Sequence, residues 1–285
     1  MNKLNKFSYV FLCFTFLLLL AACGSTGSTQ DSASTPAQQK EQQTSSETPS
    51  TQAEPTETEL IVSAAASLTD ALEEIGPVFE AKHPDIQLTF NFGSSGALQQ
   101  QIEQGAPSDL FLSAADKNMQ ALIDNNNIMK DYSETLLTNE LVLVSGSNNE
   151  MNITSEADLS KPEVKVIAIG IPESVPAGSY AKEALEGLGL YDELLPKVVQ
   201  AKDVRQVLQY VETGNADAGF VYKTDAILAK VDIIHTVDPE LYTPIKYPMG
   251  ITAASKHKEQ AQVFYEFLKS EEAREIFESY GFKGL

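Results

Sequence analysis

The chain has 285 residues and a formal net charge of −20, from 20 basic and 40 acidic residues. This charge excludes nucleic acid as an expected partner, and it also argues against long-range attraction of anions. Both cysteines, Cys13 and Cys23, lie within the first 23 residues. A folded domain beyond them must therefore rely on a hydrophobic core and not on disulfide bonds.

The first 22 residues have the pattern of a lipoprotein signal peptide. Lys3 and Lys6 precede an apolar run of 16 residues, 7–22, which ends in Leu-Ala-Ala directly before Cys23. The run is shorter than the roughly 20 residues that a membrane-spanning helix needs. We expect cleavage after residue 22 and acyl chains on Cys23, which would anchor the protein on the extracytoplasmic face of the cell membrane. The cleaved chain would keep 18 basic and all 40 acidic residues, a formal charge of −22.

The segment 23–58 is expected to be a disordered tether that begins with the lipidated cysteine. It consists mainly of Ser, Thr, Gln, Pro and Glu, with almost no large apolar side chain, so it cannot bury enough surface to fold. As a flexible coil, it would let the following domain range about 30 Å from the lipid.

Strands and helices alternate along residues 59–285, which are enough for one large domain or two lobes. Apolar residues 60–64 predict a strand, and helical spacing over 68–79, with Ser67 as the cap, predicts a helix. A second strand is expected at 86–92 and a second helix at 97–102. Further strands are expected at 109–113, 141–144, 164–169, 197–201 and 217–222, and further helices at 117–124, 178–187, 203–212, 258–268 and 272–280.

This alternation predicts an α/β fold with mainly parallel sheets flanked by helices. Two successive α/β runs and a late return segment predict two lobes. The first would comprise 59–139 and the returning 244–285, and the second would comprise 140–243. A ligand would bind in the cleft between the lobes, beyond the carboxyl ends of the strands, where the following helices present their N-termini.

Small and hydroxyl residues recur at four junctions between a strand and a helix, around Ser67, Ser95, Ala177 and Val204. Backbone N–H groups at a helix start lack intrahelical partners. Together with a hydroxyl and the positive end of the helix dipole, they form a ready site for an anion. For Ser67, Ser95 or Asp203 taken alone, an ordinary N-cap is the plainer interpretation. Four such junctions in one α/β chain favour an anion site.

The segment Ala-Ala-Ala-Ser-Leu-Thr-Asp-Ala-Leu at 64–72 resembles the opening motif of the molybdate-binding proteins of bacterial ABC importers. Later segments resemble the same family in the same order: Phe-Gly-Ser-Ser-Gly at 92–96, Gly-Ala-Pro-Ser-Asp-Leu-Phe at 105–111, Val-Pro-Ala-Gly-Ser-Tyr-Ala at 175–181, Lys-Asp-Val-Arg at 202–205, Gly-Phe-Val-Tyr-Lys-Thr-Asp-Ala at 219–226 and Tyr-Gly-Phe at 280–282. The resemblance implies a two-lobed, type II periplasmic-binding-protein-like fold. It also implies a substrate-binding component that delivers molybdate to a membrane permease, with no catalytic step and no cofactor. A monomer would suit this delivery.

The resemblance further implies which residues hold the oxyanion. Two serines would offer a hydroxyl and a backbone N–H each, two residues would offer backbone N–H groups, and a tyrosine would offer its phenol. The two serines are Ser67 and Ser95, the backbone N–H groups are those of Ala177 and Val204, and the tyrosine is Tyr222. Molybdate is fully deprotonated near neutral pH and can only accept hydrogen bonds, which suits a site of donors alone. Tungstate, nearly the same size, is expected to bind too. Gly96 stands where the family often has a third serine, so the number of hydroxyls at that loop stays open.

Other ligands and an enzymatic function are the alternatives. Sulfate is also a dianion, so only the size of the site could exclude it, and a site for phosphate or an organic solute is a further alternative. The segment 93–97 nearly matches the nucleophile elbow of serine hydrolases, with Ser95 as the nucleophile. It lacks the last glycine, however, and His235 and His257 lie in no recognisable partner motif.

Two further features of the sequence bear on charge and metal binding. Arg205, next to Val204, could touch the anion, but a cation in the first turn of a helix more often pairs with an acid. His83, His235 and His257 are isolated from one another, so no site for a bare metal cation is expected.

Overall fold

The computed structural model describes residues 57–147 and 151–284. The predicted signal peptide, the predicted lipidation site Cys23 and the tether as far as residue 56 lie outside the described residues. Among the residues that are described, no helix has the length and apolar character needed to cross a membrane.

The described part of the chain begins with three units of a strand followed by a helix. A long strand follows them before the chain crosses to the second sheet. The elements are β1 (Thr58–Ala65), a 3-10 turn (Ala66–Leu68), α1 (Thr69–Lys82), β2 (Ile86–Gly93), α2 (Ser95–Glu103), β3 (Leu110–Leu112), α3 (Asp116–Asp124) and β4 (Ile128–Thr138). The expected strands and helices of this region are present. Strand β4 was not anticipated, because it is half-exposed and mixes polar with apolar residues.

The chain then builds a second sheet before it returns. The elements of this part are β5 (Leu141–Gly146), a 3-10 turn (Glu156–Ser160), β6 (Ile167–Gly170), α4 (Pro176–Gly187), α5 (Tyr191–Leu194), β7 (Val198–Ala201), α6 (Val204–Glu212), β8 (Ala218–Tyr222), α7 (Lys223–Ala226) and β9 (Val231–Thr236). The returning elements are β10 (Lys246–Thr252), α8 (Lys258–Leu268), α9 (Glu271–Ser279) and β11 (Lys283–Gly284).

The strands form two separate sheets, which define the two lobes. The first lobe contains six strands in the order β11-β4-β10-β3-β1-β2, and the second contains five in the order β7-β6-β8-β5-β9. The chain therefore crosses between the lobes twice, from β4 to β5 and from β9 to β10. The predicted α/β class with sheets flanked by helices is confirmed.

Both sheets are mixed, where mainly parallel sheets were expected. In the first lobe, β1 pairs in parallel with β2 and β3, whereas β10 runs antiparallel to β3 and β4. In the second, β6 pairs in parallel with β7 and β8, whereas β5 is antiparallel to β8 and β9. The reason is the double crossing. A strand such as β5 or β10 that arrives from the other lobe enters at the cleft, where the parallel strands end, and must run against them.

The core of the first lobe joins the first and last parts of the chain. Strand β1 buries Leu60 and Val62, and α1 buries Phe79 completely. The Phe79 ring lies 4.8 Å from that of Phe264 and 5.3 Å from that of Phe267, both in α8. Burial of such aromatic side chains contributes strongly to stability, so the returning helix α8 holds the last turns of α1 in the first lobe.

Candidate functional site

A small cavity lies where strands of both lobes end and their following helices begin. Its lining includes all five residues that the sequence singled out, namely Ser67, Ser95, Ala177, Val204 and Tyr222. The cavity has a volume of about 10 Å³. Among the described residues, no charged side chain lines the cavity. The arrangement suits one small ligand held by uncharged groups.

Ser67 lies in the 3-10 turn between β1 and α1, and its side chain does not cap a helix. The expectation of a cap at Ser67 was wrong, because the tight turn places this residue inside the helical segment and not in front of it. Its Oγ instead lies 2.9 Å from the Tyr247 hydroxyl. Ser67 is buried and lines the cavity, so its hydroxyl lies between Tyr247 and the space for a ligand.

Ser95 is the first residue of α2, and its hydroxyl is likewise not the helix cap. The cap is Ser94, whose Oγ accepts from the Ala97 N–H at 3.4 Å. The Ser95 Oγ accepts a hydrogen bond from the Ala114 N–H at 2.8 Å. With one acceptor position occupied by a backbone donor, the hydroxyl hydrogen of Ser95 stays available to a ligand.

The second lobe contributes two helix starts. Ala177 lies in the first turn of α4, and Val204 is the first residue of α6. Asp203 caps α6 by accepting from the Gln206 N–H at 2.8 Å, so the plainer interpretation holds for this residue. N–H groups in a first turn have no partner in their own helix. Those of Ala177 and Val204 are therefore suited to an anion in the cavity.

Tyr222 ends β8 and is buried, with 1% of its surface exposed. Its hydroxyl has no hydrogen-bond partner among the described residues. Burial, together with the neighbouring Tyr247, raises the pKa of this phenol well above its usual value, so it stays protonated and can donate. A buried hydroxyl without a partner costs about 1–3 kcal/mol. A ligand that accepts from Tyr222 would remove that cost.

Arg205 does not line the cavity. Its Nη2 lies 2.5 Å from Asp70 Oδ2 in the first lobe, and its Nε lies 2.7 Å from Asp225 Oδ1 in the second. Burial alone would lower the pKa of Arg205, but the carboxylates of Asp225 and Asp70 raise it. Burial raises the pKa of Asp225 to about 6. The cation thus pairs with acids, as the plainer interpretation expected, and it connects the two lobes.

With this geometry described, known proteins provide the comparison. Residues 60–283 match the family model described as "Bacterial extracellular solute-binding protein". This chain belongs to that family. Family membership confirms the periplasmic-binding-protein-like fold and the expectation that the protein is not an enzyme, and it places this solute-binding protein outside the cytoplasm.

Individual relatives of this solute-binding protein agree with one another. YvgL of Bacillus subtilis, described as "Putative ABC transporter substrate-binding lipoprotein", is 45% identical over 98% of both chains. The molybdate-binding protein ModA of Escherichia coli is 39% identical over 79% of this chain and 89% of its own. A solved structure, "substrate binding domain of putative molybdenum ABC transporter from Clostridium difficile", is 44% identical. It covers 80% of this chain and 99% of its own, with a TM-score of 0.62.

The lobes of this solute-binding protein meet directly around the cavity. The Gly96 N–H donates to the Ser174 carbonyl at 2.9 Å, and the Tyr180 hydroxyl donates to the Ala114 carbonyl at 3.2 Å. A Cβ atom at Gly96 would lie 2.6 Å from the Ser174 oxygen. A serine at this position could not be accommodated at such a distance, so Gly96 permits the close approach of the lobes. The loop therefore offers the hydroxyls of Ser94 and Ser95 only.

The histidines of the solute-binding protein lie outside the cavity. His235 Nε2 is 3.0 Å from Glu156 Oε1, and neither His235 nor His257 lines the cavity with Ser95. Within the described ranges, no group of three or more His, Cys, Asp or Glu side chains could hold a metal ion.

The sequence did not reveal two residues that bond to the two serines, Ala114 in the cavity lining and Tyr247 behind it. They follow no motif, and Tyr247 is 180 residues from Ser67. The only available signal was that each lies at the cleft end of a strand.

Proposed function

We propose that this protein is the extracytoplasmic substrate-binding component of an ABC importer that captures molybdate. The observation that carries the proposal is a cavity into which five residues can direct hydrogen-bond donors. Among the residues that the structure describes, no charged side chain lines this cavity and the Tyr222 hydroxyl has no partner. Relatives that bear the name molybdate-binding protein support it.

A site made of donors suits the chemistry of molybdate. Each oxygen of this dianion only accepts hydrogen bonds, and hydroxyl and backbone N–H groups can all donate. The starts of α4 and α6 add the positive ends of two helix dipoles. Dipoles at short range can hold an anion although the protein is strongly acidic, since surface charges are screened over about 8 Å at physiological salt.

Capture proceeds in this proposal by closure of the two lobes on the ligand. The first lobe supplies Ser67 and Ser95, and the second supplies Ala177, Val204 and Tyr222. A ligand that bonds to both sides has a higher affinity for the closed state and shifts the population toward it. The permease of the importer would recognise the closed form.

The remaining parts of the proposal concern the protein's setting. Acyl chains on Cys23 and the tether would hold the receptor near the permease, at the extracytoplasmic face of the membrane. The protein would act as a monomer and without a cofactor. Tungstate would bind as molybdate does, because it offers the same acceptors at nearly the same size.

Titration calorimetry on protein that begins at Gly24 tests this function with molybdate, tungstate, sulfate and phosphate. We expect binding of one molybdate or one tungstate per chain, and much weaker binding of sulfate and phosphate. Tight binding of sulfate together with no binding of molybdate would replace molybdate by sulfate as the substrate. A covalent adduct of a serine-directed phosphonate on Ser95 would instead favour a hydrolase.

A further inference from the structure

The Ser67 hydroxyl is the last member of a chain of side-chain hydrogen bonds that begins at the half-buried Asn139. Asn139 lies between β4 and β5, where the chain crosses from the first lobe to the second. Its Nδ2 is 2.9 Å from the Thr224 Oγ1 and 3.2 Å from the Tyr247 hydroxyl. The Tyr247 hydroxyl is in turn 2.9 Å from the Ser67 Oγ. The crossing segment is thus connected to the ligand cavity.

The direction of each bond follows from the chemistry of the groups. The Asn139 Oδ1 accepts the backbone N–H of Glu140 at 2.9 Å, which leaves the amide nitrogen facing Tyr247. An amide nitrogen can only donate, so the Tyr247 oxygen accepts from it. The buried phenol hydrogen then needs an acceptor, and of the two groups bonded to Tyr247 only the Ser67 Oγ can accept it. The Ser67 Oγ is then an acceptor toward Tyr247. Its own hydrogen is directed into the cavity.

Tyr247 is well suited to hold this direction constant. The side chain is buried, and its ring lies 5.4 Å from that of Phe282 and 5.8 Å from that of Tyr222. Burial raises the pKa of the Tyr247 phenol well above its usual value. The phenol therefore keeps its hydrogen near neutral pH.

The Ser95 hydroxyl also accepts a hydrogen bond from the protein, in this case from a backbone N–H group. The Ala114 N–H, which can only donate, bonds to the Ser95 Oγ at 2.8 Å. Both serine hydroxyls thus accept from a donor of the protein and present a hydrogen to the cavity. Neither is set to accept a hydrogen from a ligand.

We propose that Tyr247 and Asn139 are positioning residues that fix Ser67 as a hydrogen-bond donor and thereby make the site select fully deprotonated oxyanions over protonated ones. An anion such as hydrogen phosphate carries an O–H that needs an acceptor. A buried donor left without one is penalised. This inference rests on the proposed function and adds the groups that set its selectivity.

Two variants that act on the direction of the bonds test the inference. Tyr247→Phe removes the phenol and keeps the ring, so Ser67 becomes free to accept. Asn139→Asp replaces the donor by an acceptor of the same shape. Tyr247 would then donate to residue 139, Ser67 would donate to Tyr247, and a lone pair of Ser67 would face the ligand.

The measurement is the molybdate dissociation constant together with the inorganic phosphate concentration that displaces half of the bound molybdate. We expect molybdate affinity to fall about tenfold in Tyr247→Phe and further in Asn139→Asp. The preference for molybdate over phosphate should fall at least tenfold in both. The competition is measured above the second pKa of phosphate, where both anions are dianions, so that the added charge of Asn139→Asp repels them about equally and does not by itself lower the preference.

Tyr265→Phe is the matched control, because Tyr265 in α8 is a buried tyrosine of the first lobe that does not line the cavity. It should change neither affinity nor preference. If Tyr247→Phe fails to fold, as judged by circular dichroism, Asn139→Ala replaces it, since it also removes the donor to Tyr247. An unchanged preference in the folded variants overturns the inference, even where affinity for both anions falls equally. Wild-type protein that does not bind molybdate overturns the proposed function instead.

Discussion

The two sides of the cavity hold their donors in different ways. On the first lobe, the hydroxyls of Ser67 and Ser95 each bond to another part of the protein, at Tyr247 and Ala114. On the second lobe, the N–H groups of Ala177 and Val204 depend on the geometry of helix starts, and the Tyr222 hydroxyl has no partner among the described residues. The first side is therefore oriented before a ligand arrives, whereas the second side is completed by the ligand.

The largest effect is expected from removing both hydroxyls of the first side. Hydrogen bonds to a charged group contribute about 1.5 kcal/mol or more each. The double variant Ser67→Ala with Ser95→Ala should therefore lose roughly 3 kcal/mol of binding free energy, about a hundredfold in affinity. Calorimetry with molybdate measures this loss. Unchanged affinity would show that the ligand does not bind between these serines.

A second prediction concerns the buried acid behind the second side. The folded protein holds Asp225 at a pKa of about 6, against a usual value of 3.8. The folded state therefore binds this proton more tightly than the unfolded state between those values. As pH rises from 4 to 7, wild type should lose roughly 2 kcal/mol of stability relative to Asp225→Asn.

Urea unfolding of the two proteins at several pH values measures this difference, and the other carboxylates largely cancel in the comparison. A difference that is constant with pH, or that grows in favour of wild type, would show that Arg205 keeps Asp225 ionised throughout.

Single changes should separate the two sides most clearly. Tyr222→Phe should weaken molybdate binding about tenfold, yet stabilise the ligand-free protein by up to about 1 kcal/mol, because a buried hydroxyl without a partner is removed. Ser95→Ala should destabilise the ligand-free protein by about 1 kcal/mol, because the Ala114 N–H loses its acceptor. Urea unfolding without ligand measures the two stability changes, and calorimetry measures the loss of molybdate affinity. Equal changes of the same sign would show that the two sides of the cavity hold their hydroxyls in the same way.

The smallest effect is expected where the two sides meet. In Gly96→Ser the new Cβ would overlap the Ser174 backbone, so the lobes must stay slightly apart. We expect a loss of about 1 kcal/mol, roughly fivefold, in molybdate affinity, with little change in ligand-free stability. The control is Gly146→Ser, since a Cβ at Gly146 would meet its nearest neighbour at an ordinary 3.6 Å. If the two variants bind molybdate equally well, closure does not depend on Gly96.

Much of the site could be predicted because its parts are local. A strand followed by a helix is visible in the periodicity of the apolar residues, and first-turn N–H groups lack partners in any helix. The junctions around Ser67, Ser95, Ala177 and Val204 converge in the structure for a general reason. Parallel strands bring the helix starts that follow them to the same edge of a sheet. Their contacts with a ligand stay a prediction until the calorimetry is done.

The sequence by itself determined the alternation of strands and helices, the uncharged small residues at the junctions and the resemblance to a family, because each is a property of short segments. Only the tertiary structure decided that both sheets are mixed, that Arg205 pairs with Asp70 and Asp225, and that Tyr247 and Asn139 form a hydrogen-bonded chain to the Ser67 hydroxyl. These partners lie far apart along the chain. They meet because the chain crosses between the lobes twice, and a buried polar group must bond to whatever that crossing brings within reach.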